Sequence, residues 1–288
     1  MPARDGVVLA TDVYRPTGPG PFPVLFERSL YHKSAPSRAE RTAAVAPRSR
    51  TEIAAYFVGH GYAVAYRDCR GRYRSGAHFT KYLSEAEDGC DALGWLQRQA
   101  LVQRPCRHLR AVLCGPHAGR ARLPRPAGTD GAVPRLRRLL QRLPQRHPPG
   151  GALDLKQATW AYRNALADAR DPEVKAALAA LDIRAWFRRM RWRRGDSPIS
   201  AAPEYEDYLF EQWSHGIFDD YWRQPGIHAE GFYDRYADVP IVHLSGWYDP
   251  YARTAMENYV GLSRAKRSRM QLILGPWTHG DRSLSHAG

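Results

Sequence analysis

Apolar and polar positions alternate between two periods along most of the chain. Gly6 to Val13 alternates and then meets Arg15-Pro16, which predicts a strand closed by a loop holding Gly18, Gly20 and Pro21. Pro23-Val24-Leu25-Phe26 predicts a short apolar strand, Arg50 to Gly61 an amphipathic helix with a glycine-rich end, and Tyr62 to Tyr66 a buried strand. Helical spacing returns from Glu85 to Leu96 through Ala86, Cys90 and Leu93. From Leu153 to about Met190 the pattern is largely helical, from Leu155 through Ala165 and from Val174 to Ala185. The aromatic, acidic residues 203–236 predict a helical insertion rather than sheet. Strand pattern resumes at Val239 to Leu244, a helix is predicted from about Ala252 to Ser263, and Gln271-Leu272-Ile273-Leu274 predicts a last short strand. Strands alternating with helices predict an α/β fold with parallel strands, since parallel neighbours need long crossovers. No internal repeat is evident.

Composition narrows the classes. The chain has 288 residues, 43% hydrophobic, 25% charged and 11% aromatic, the profile of a globular protein rather than a disordered one. No run of about 18 apolar residues occurs, so no membrane-spanning helix is expected. Met1-Pro2-Ala3-Arg4 opens without an apolar signal region, and a cytoplasmic location is expected. Four cysteines do not make a disulfide scaffold.

The net charge of +14 suggests nucleic acid or an anionic surface until its distribution is read. Residues 97–150 hold twelve arginines and one acid, Asp130, a net +11 that leaves +3 for the rest. The same stretch lacks Ser, Tyr, Phe, Trp, Ile, Met, Asn, Lys and Glu, and carries eight of the 22 prolines. Those prolines interrupt every candidate helix, and neither structural period runs through. One reading is a disordered, arginine-rich nucleic-acid segment. The other is a GC-rich coding sequence translated out of frame. Shifting the frame by one base allows Leu101 to Arg110 to encode Trp-Cys-Asn-Gly-Arg-Val-Gly-Thr-Tyr-Gly. In the same frame, Ala111 to Ala118 can encode Pro-Ser-Tyr-Ala-Gly-His-Thr-Gln. This restores a strand followed by Gly-x-Ser-Tyr-x-Gly, and implies a frame change near residues 97–101 that reverts near Gly150.

Two predicted strand ends deliver polar groups late in the chain: Asp249 after one and His279 after the next. An acid followed by a histidine is the late half of the Ser, Asp, His order in which a triad appears in α/β hydrolases. There the histidine removes the serine proton, and the acid fixes its tautomer and offsets the imidazolium charge. The plain alternative for Asp249 is a turn or helix-cap residue.

Residues 1–96 and 151–288 resemble the cocaine-esterase-like and X-Pro dipeptidyl-peptidase-like (CocE/NonD) hydrolases. The resemblance rests on Arg4-Asp5-Gly6-Val7 with Thr11-Asp12-Val13-Tyr14-Arg15-Pro16, Asp68-Cys69-Arg70-Gly71 with Ser75-Gly76, Glu85-Ala86-Glu87-Asp88-Gly89, Gly246-Trp247-Tyr248-Asp249 and Gly275-Pro276-Trp277-Thr278-His279. It implies an α/β-hydrolase core with an inserted helical cap: residues 1–150 as the first part of the core (97–150 disrupted), 151–236 as the cap, and 237–288 as the second part. It implies Asp249 as the triad acid, His279 as the triad base, and Tyr31 as the tyrosine whose hydroxyl helps form the oxyanion hole. An ordinary amphipathic core residue is the alternative for Tyr31.

This sequence departs from the family at the nucleophile elbow. Arg110-Ala111-Val112-Leu113-Cys114-Gly115 stands in the place of Gly-x-Ser-Tyr-x-Gly, and the missing serine falls across the codons of Val112 and Leu113. The family's C-terminal β-sandwich is also expected to be missing. The implied function is hydrolysis of an ester, amide or X-Pro peptide bond through an acyl-enzyme, with this copy inactive. The expected partner is a small acyl ester, amide or peptide, with no cofactor, metal, nucleic acid or membrane. The alternative class is a non-catalytic basic module binding nucleic acid through residues 97–150. Ser75 is expected to be structural. Cys114 lacks an encoded elbow turn, Cys106 and Cys114 lack metal-ligand spacing, and Arg188 to Arg194 is expected to be a solvated end of the helical insertion.

Overall fold

The computed structural model describes residues 1–36, 46–79, 83–102, 155–189 and 191–278, and the backbone alone of 281–285. Residues 103–154, which include nearly all of the arginine-rich stretch, and His279 lie outside the described residues. In chain order the elements are β1 (Thr11–Tyr14), β2 (Val24–Ser29), α1 (Arg50–Gly59), β3 (Ala63–Asp68), α2 (Glu85–Arg98), α3 (Leu155–Asp168), α4 (Pro172–Ala179), α5 (Ile183–Arg188), α6 (Pro203–Ser214), a 3-10 helix (Glu230–Arg235), β4 (Ile241–Tyr248), α7 (Ala252–Ala265), β5 (Met270–Thr278) and β6 (Asp281–Ser285). They form two compact units. The first takes the described residues within Met1–Ala77, Tyr82–Leu143 and Gln224–Gly288, and the second those within His78–Lys81 and Pro144–Arg223.

The first unit holds two three-stranded sheets, ordered β1-β3-β2 and β4-β5-β6. β2 pairs parallel with β3 and β4 with β5, while β1 and β6 pair antiparallel. All six residues of β3 are buried, as befits a strand covered on both faces. One face carries Val24, Phe26, Ala63 and Ala65 against Ala92 and Leu96 of α2. The other carries Val64 and Tyr66 against Ala54 and Phe57 of α1. Helix α1 starts at a capping box in which Ser49 and Glu52 exchange side-chain-to-backbone bonds, satisfying two end N–H groups. Helix α7 buries Thr254, Ala255, Asn258 and Leu262, one face at helical spacing, and Leu262 packs with Ile241 of β4.

The second unit is helical. Ala158, Ala161 and Ala165 of α3 form a small-residue face that packs with Leu178, Ile199, Tyr205, Tyr208 and Leu209. The single helix expected over 174–185 is two, α4 and α5. Asp182 interrupts it because its carboxylate accepts the Arg184 N–H and starts a new helix. The strand expected from Gly6 begins later, at Thr11, because Gly6 at φ +82° closes a turn in which Ala3 and Val7 are bonded.

Candidate functional site

The carboxyl end of β4 carries Asp249. Its N–H donates to the Gly246 carbonyl at 3.0 Å, its Oδ1 accepts the Tyr251 N–H at 2.9 Å, and its carbonyl accepts the Ala252 N–H at 2.9 Å. The residue is therefore buried (7% exposed) in the turn that starts α7. This is the cap geometry the sequence offered as the plain alternative. It also fixes the carboxylate at the end of a strand, where open parallel sheets place their chemistry.

β5 runs alongside, with Gly246 opposite Gly275 and Tyr248 opposite Thr278. Two steps along β4 thus match three along β5, a bulge spanning Pro276 and Trp277. Proline has no N–H for the ladder, so a bulge suits it. Bulges increase local twist and re-aim the residues that follow. Trp277 occupies the space that side chains on two glycines would need: a Cβ on Gly246 would stand 2.0 Å from the Trp277 carbonyl oxygen, and one on Gly275 would stand 1.8 Å from its ring. The two motifs Gly246-Trp247-Tyr248-Asp249 and Gly275-Pro276-Trp277-Thr278-His279 are interlocked through this tryptophan. Residue 279, the expected base, follows Thr278 in the sequence and lies outside the described residues.

Tyr31 follows β2 at its carboxyl end and is 37% exposed, which sets it apart from its buried neighbours Ser29 and Leu30. Its N–H donates to Ser29 Oγ at 3.0 Å. The residues on either side of Tyr31 are tied to the loop after β3. Lys33 N–H donates to Asp68 Oδ1 at 2.6 Å, Arg72 Nε donates to the Leu30 carbonyl at 3.0 Å, and the Cys69 N–H donates to the Ser29 carbonyl at 3.0 Å. Asp68 is fully buried, and burial raises its carboxyl pKa, opposed by the Lys33 N–H bond. The sequence did not single out Asp68 or Arg72 as functional. The available signal was the Asp68-Cys69-Arg70-Gly71 motif.

Ser75 is structural: its hydroxyl donates to the Asp68 carbonyl at 2.8 Å and accepts the Ala10 N–H at 2.9 Å. Cys69 is a buried thiol whose pKa burial, with Glu85 beside it, pushes well up, which disfavours the thiolate. Among the described residues, no group of three His, Cys, Asp or Glu side chains is gathered for a metal ion. No helix among them is long and apolar enough to cross a membrane.

The fold and motifs have relatives. A solved CocE/NonD family hydrolase from Staphylococcus aureus is similar over 99% of this chain and 46% of its own, with a TM-score of 0.63 and 17% identity. A solved aminopeptidase from a marine sediment Thaumarchaeota archaeon is similar over 97% and 48%, with a TM-score of 0.60 and 21% identity. These likenesses show the fold, an α/β hydrolase. A cocaine esterase from Rhodococcus sp. (strain MB1 Bresler) is 38% identical over 100 residues, 35% of this chain and 16% of that protein. The chain thus spans about half the length of the solved relatives and a smaller share of the esterase. The family model of the X-Pro dipeptidyl-peptidases (S15 family) matches residues 5–106 and 143–281, most of the chain. On that match the chain belongs to the X-Pro dipeptidyl-peptidase (S15) family.

Proposed function

We propose that this chain is the scaffold of a serine hydrolase that cleaves an ester, amide or X-Pro peptide bond, and that the polypeptide as written has lost its nucleophile. Asp249 is the acid, His279 the base and Tyr31 an oxyanion donor. Residues 151–236 are the cap. The observation that carries the reading is the family match itself. Its gap, residues 107–142, falls within the stretch 97–150 whose composition reads as a shifted frame.

In a chain with an intact elbow, the serine oxygen bonds to the acyl carbon and its proton passes to His279. The carbonyl electrons move onto oxygen, where the Tyr31 hydroxyl and a backbone N–H of the elbow donate to the developing charge. Asp249 holds the imidazole and offsets its positive charge. Collapse of the tetrahedral intermediate expels the leaving group, which takes the proton from His279. Water then adds to the acyl-enzyme by the same route. With Arg110 to Gly115 in place of the elbow, both the serine and its backbone donor are lost.

The test is hydrolysis of a small activated ester by this chain and by one recoded to restore the frame across residues 97–150. Loss of a triad serine costs about six orders of magnitude, so turnover is expected only from the recoded chain, and Asp249→Ala should remove it. Saturable turnover by the chain as written, lost on Asp249→Ala, overturns the proposal.

A further inference from the structure

Outside the two sheet cores, one feature of the first unit stands apart. The only non-glycine residues with positive φ among the described residues are His32 (64°), Tyr73 (51°) and Ala77 (67°). All three lie in the segment after β2 or in the loop after β3. Side chains in the left-handed region carry a steric cost and persist where surrounding contacts hold them. The contacts here are explicit. The His32 and Tyr73 rings meet edge to face with centroids 4.6 Å apart. Arg72, 2% exposed, reaches the Leu30 carbonyl with Nε and the Tyr73 hydroxyl with Nη2 at 3.2 Å, its guanidinium 4.9 Å from the Tyr73 ring centre. Asp68 takes the Lys33 N–H, and the Lys33 ammonium pairs with Asp12 of β1. The loop that supplies these groups is itself closed by Gly71 N–H to the Gly76 carbonyl at 2.9 Å and by the two Ser75 bonds.

Leu30 and Lys33 flank Tyr31 and are gripped on their backbone by groups from residues 68 to 72. A tyrosine between two such clamps has its Cα fixed although its ring is partly exposed. Fixing a donor before reaction is what makes an oxyanion hole effective, since the donor need not reorganise as charge develops. The strain at His32 and Tyr73 has no role in either sheet core, and it sits where a donor has to be held.

We propose that the Asp68–Ser75 loop is a platform that aims Tyr31, with Arg72 as its positioning residue. The catalytic purpose of that aim rests on Tyr31 being the oxyanion donor. The platform itself does not.

The test uses the chain as it exists, labelled with 3-fluorotyrosine, with the Tyr31 resonance assigned by Tyr31→Phe. Arg72→Met keeps the length and apolar packing of the stem but removes the donors. It is expected to move or broaden the Tyr31 resonance and to speed exchange of the Lys33 amide more than tenfold, with the Tyr208 and Tyr259 resonances unmoved. Arg72→Lys, which keeps a donor, is expected to recover part of both effects. A merely structural arginine would lower the melting temperature and leave the Tyr31 resonance in place, so an unchanged Tyr31 resonance and Lys33 exchange in folded Arg72→Met overturn the platform. If Arg72→Met does not fold, His32→Gly serves. It accepts the positive φ without strain but loses the ring contact, and an unmoved Tyr31 resonance there overturns the proposal equally. In the frame-restored enzyme, Arg72→Met is expected to lower kcat at least tenfold with KM changed less than twofold. Unchanged kcat on Tyr31→Phe in that enzyme would remove the oxyanion reading and leave the resonance result standing.

Discussion

Replacing His243 by leucine is expected to abolish a loss of stability that burial of this ring predicts for the parent chain between pH 7.5 and pH 5. His243 lies in β4, 3% exposed, its ring edge-on to Tyr259 with centroids 6.1 Å apart. Its Nε2 is buried with no hydrogen-bond partner among the described residues. Burial pushes its pKa down from 6.5 to about 4, because a charged imidazolium there would give up water for an apolar strand face. Well above pH 6.5 the ring is neutral in both the folded and unfolded chains and contributes no pH dependence. As pH falls below 6.5, the unfolded chain takes a proton that the folded chain refuses until about pH 4. Unfolding therefore gains, and the loss of stability grows through that window.

The size follows from the two values. At pH 5 the unfolded chain is mostly protonated at this site and the folded chain mostly not, a difference of about 2 kcal/mol by linkage. Leucine is neutral, close in volume and suited to the apolar contact with Tyr259, so His243→Leu should match or exceed the parent at pH 7.5. The assay is urea unfolding followed by tryptophan fluorescence at half-unit steps from pH 7.5 to pH 5, above the range where ordinary carboxylates titrate. The parent midpoint should fall and the variant midpoint should stay level apart from shifts common to both. Parallel profiles for the two chains would refute the argument that His243 is held neutral by burial.

The same titration carries a second sign. His215 lies between Asp219 (Nδ1 to Oδ2, 2.5 Å) and Glu211 (Nε2 to Oε1, 3.3 Å), and chiefly the Asp219 bond raises its pKa. That stabilisation is fully present below pH 6.5 and is lost as pH rises through the raised value, so His215→Asn should flatten the profile above pH 6.5, read in a urea series extended to higher pH. Gly246→Ala places a methyl 2.0 Å from the Trp277 carbonyl and should destabilise by about 2 kcal/mol or more, whereas Gly59→Ala, with nothing within 4 Å, should stabilise by up to about 1 kcal/mol in a thermal melt. Asp88 is fully buried and forked by Arg70 (Nε to Oδ2, 3.0 Å; Nη2 to Oδ1, 2.6 Å), so Asp88→Ala leaves part of a guanidinium unpaired and should cost about 3–5 kcal/mol by denaturant midpoint.

The parallel pairs were legible because apolar runs such as Val24-Leu25-Phe26 and Ala63-Val64-Ala65 fit only buried strands. What hid from the pattern was polar. β3 continues through Arg67 and Asp68, both buried, because Arg67 reaches the Asp88 carbonyl at 2.8 Å and lies over the Phe26 ring. No periodicity rule extends a buried strand into an arginine. β5 continues through Gly275 and Pro276, which read as a stop but are carried by the bulge against β4. Asp249 was legible as a position, and its cap bonds are local enough to be expected from its place after a strand. The Tyr31 surroundings were not, since they join a side chain to a backbone group 35 residues away at Lys33 and Asp68, and 42 away at Leu30 and Arg72. Such pairings leave no period in the sequence.

The same distinction bears on the change of frame proposed for one stretch of the chain. Asp249 is held by Gly246, Tyr251 and Ala252, all within three residues, and β4 by its pairing with β5. Tyr31 is set by β2, its pairing with β3 and the loop that follows. None of these bonds draws on residues 103–150. The contact that leads toward that stretch is the parallel bridge of Val102 with Phe22, where the Phe22 N–H donates to the Leu101 carbonyl at 2.8 Å. The last described residue before that stretch is thus bridged to Phe22, two residues ahead of β2, and the family match covers residues 5–106 and 143–281. The proposed loss of a nucleophile is then separable from loss of the strand pairs that carry Asp249 and Tyr31. A chain built this way should keep cooperative unfolding of its paired strands whether or not it turns over an ester.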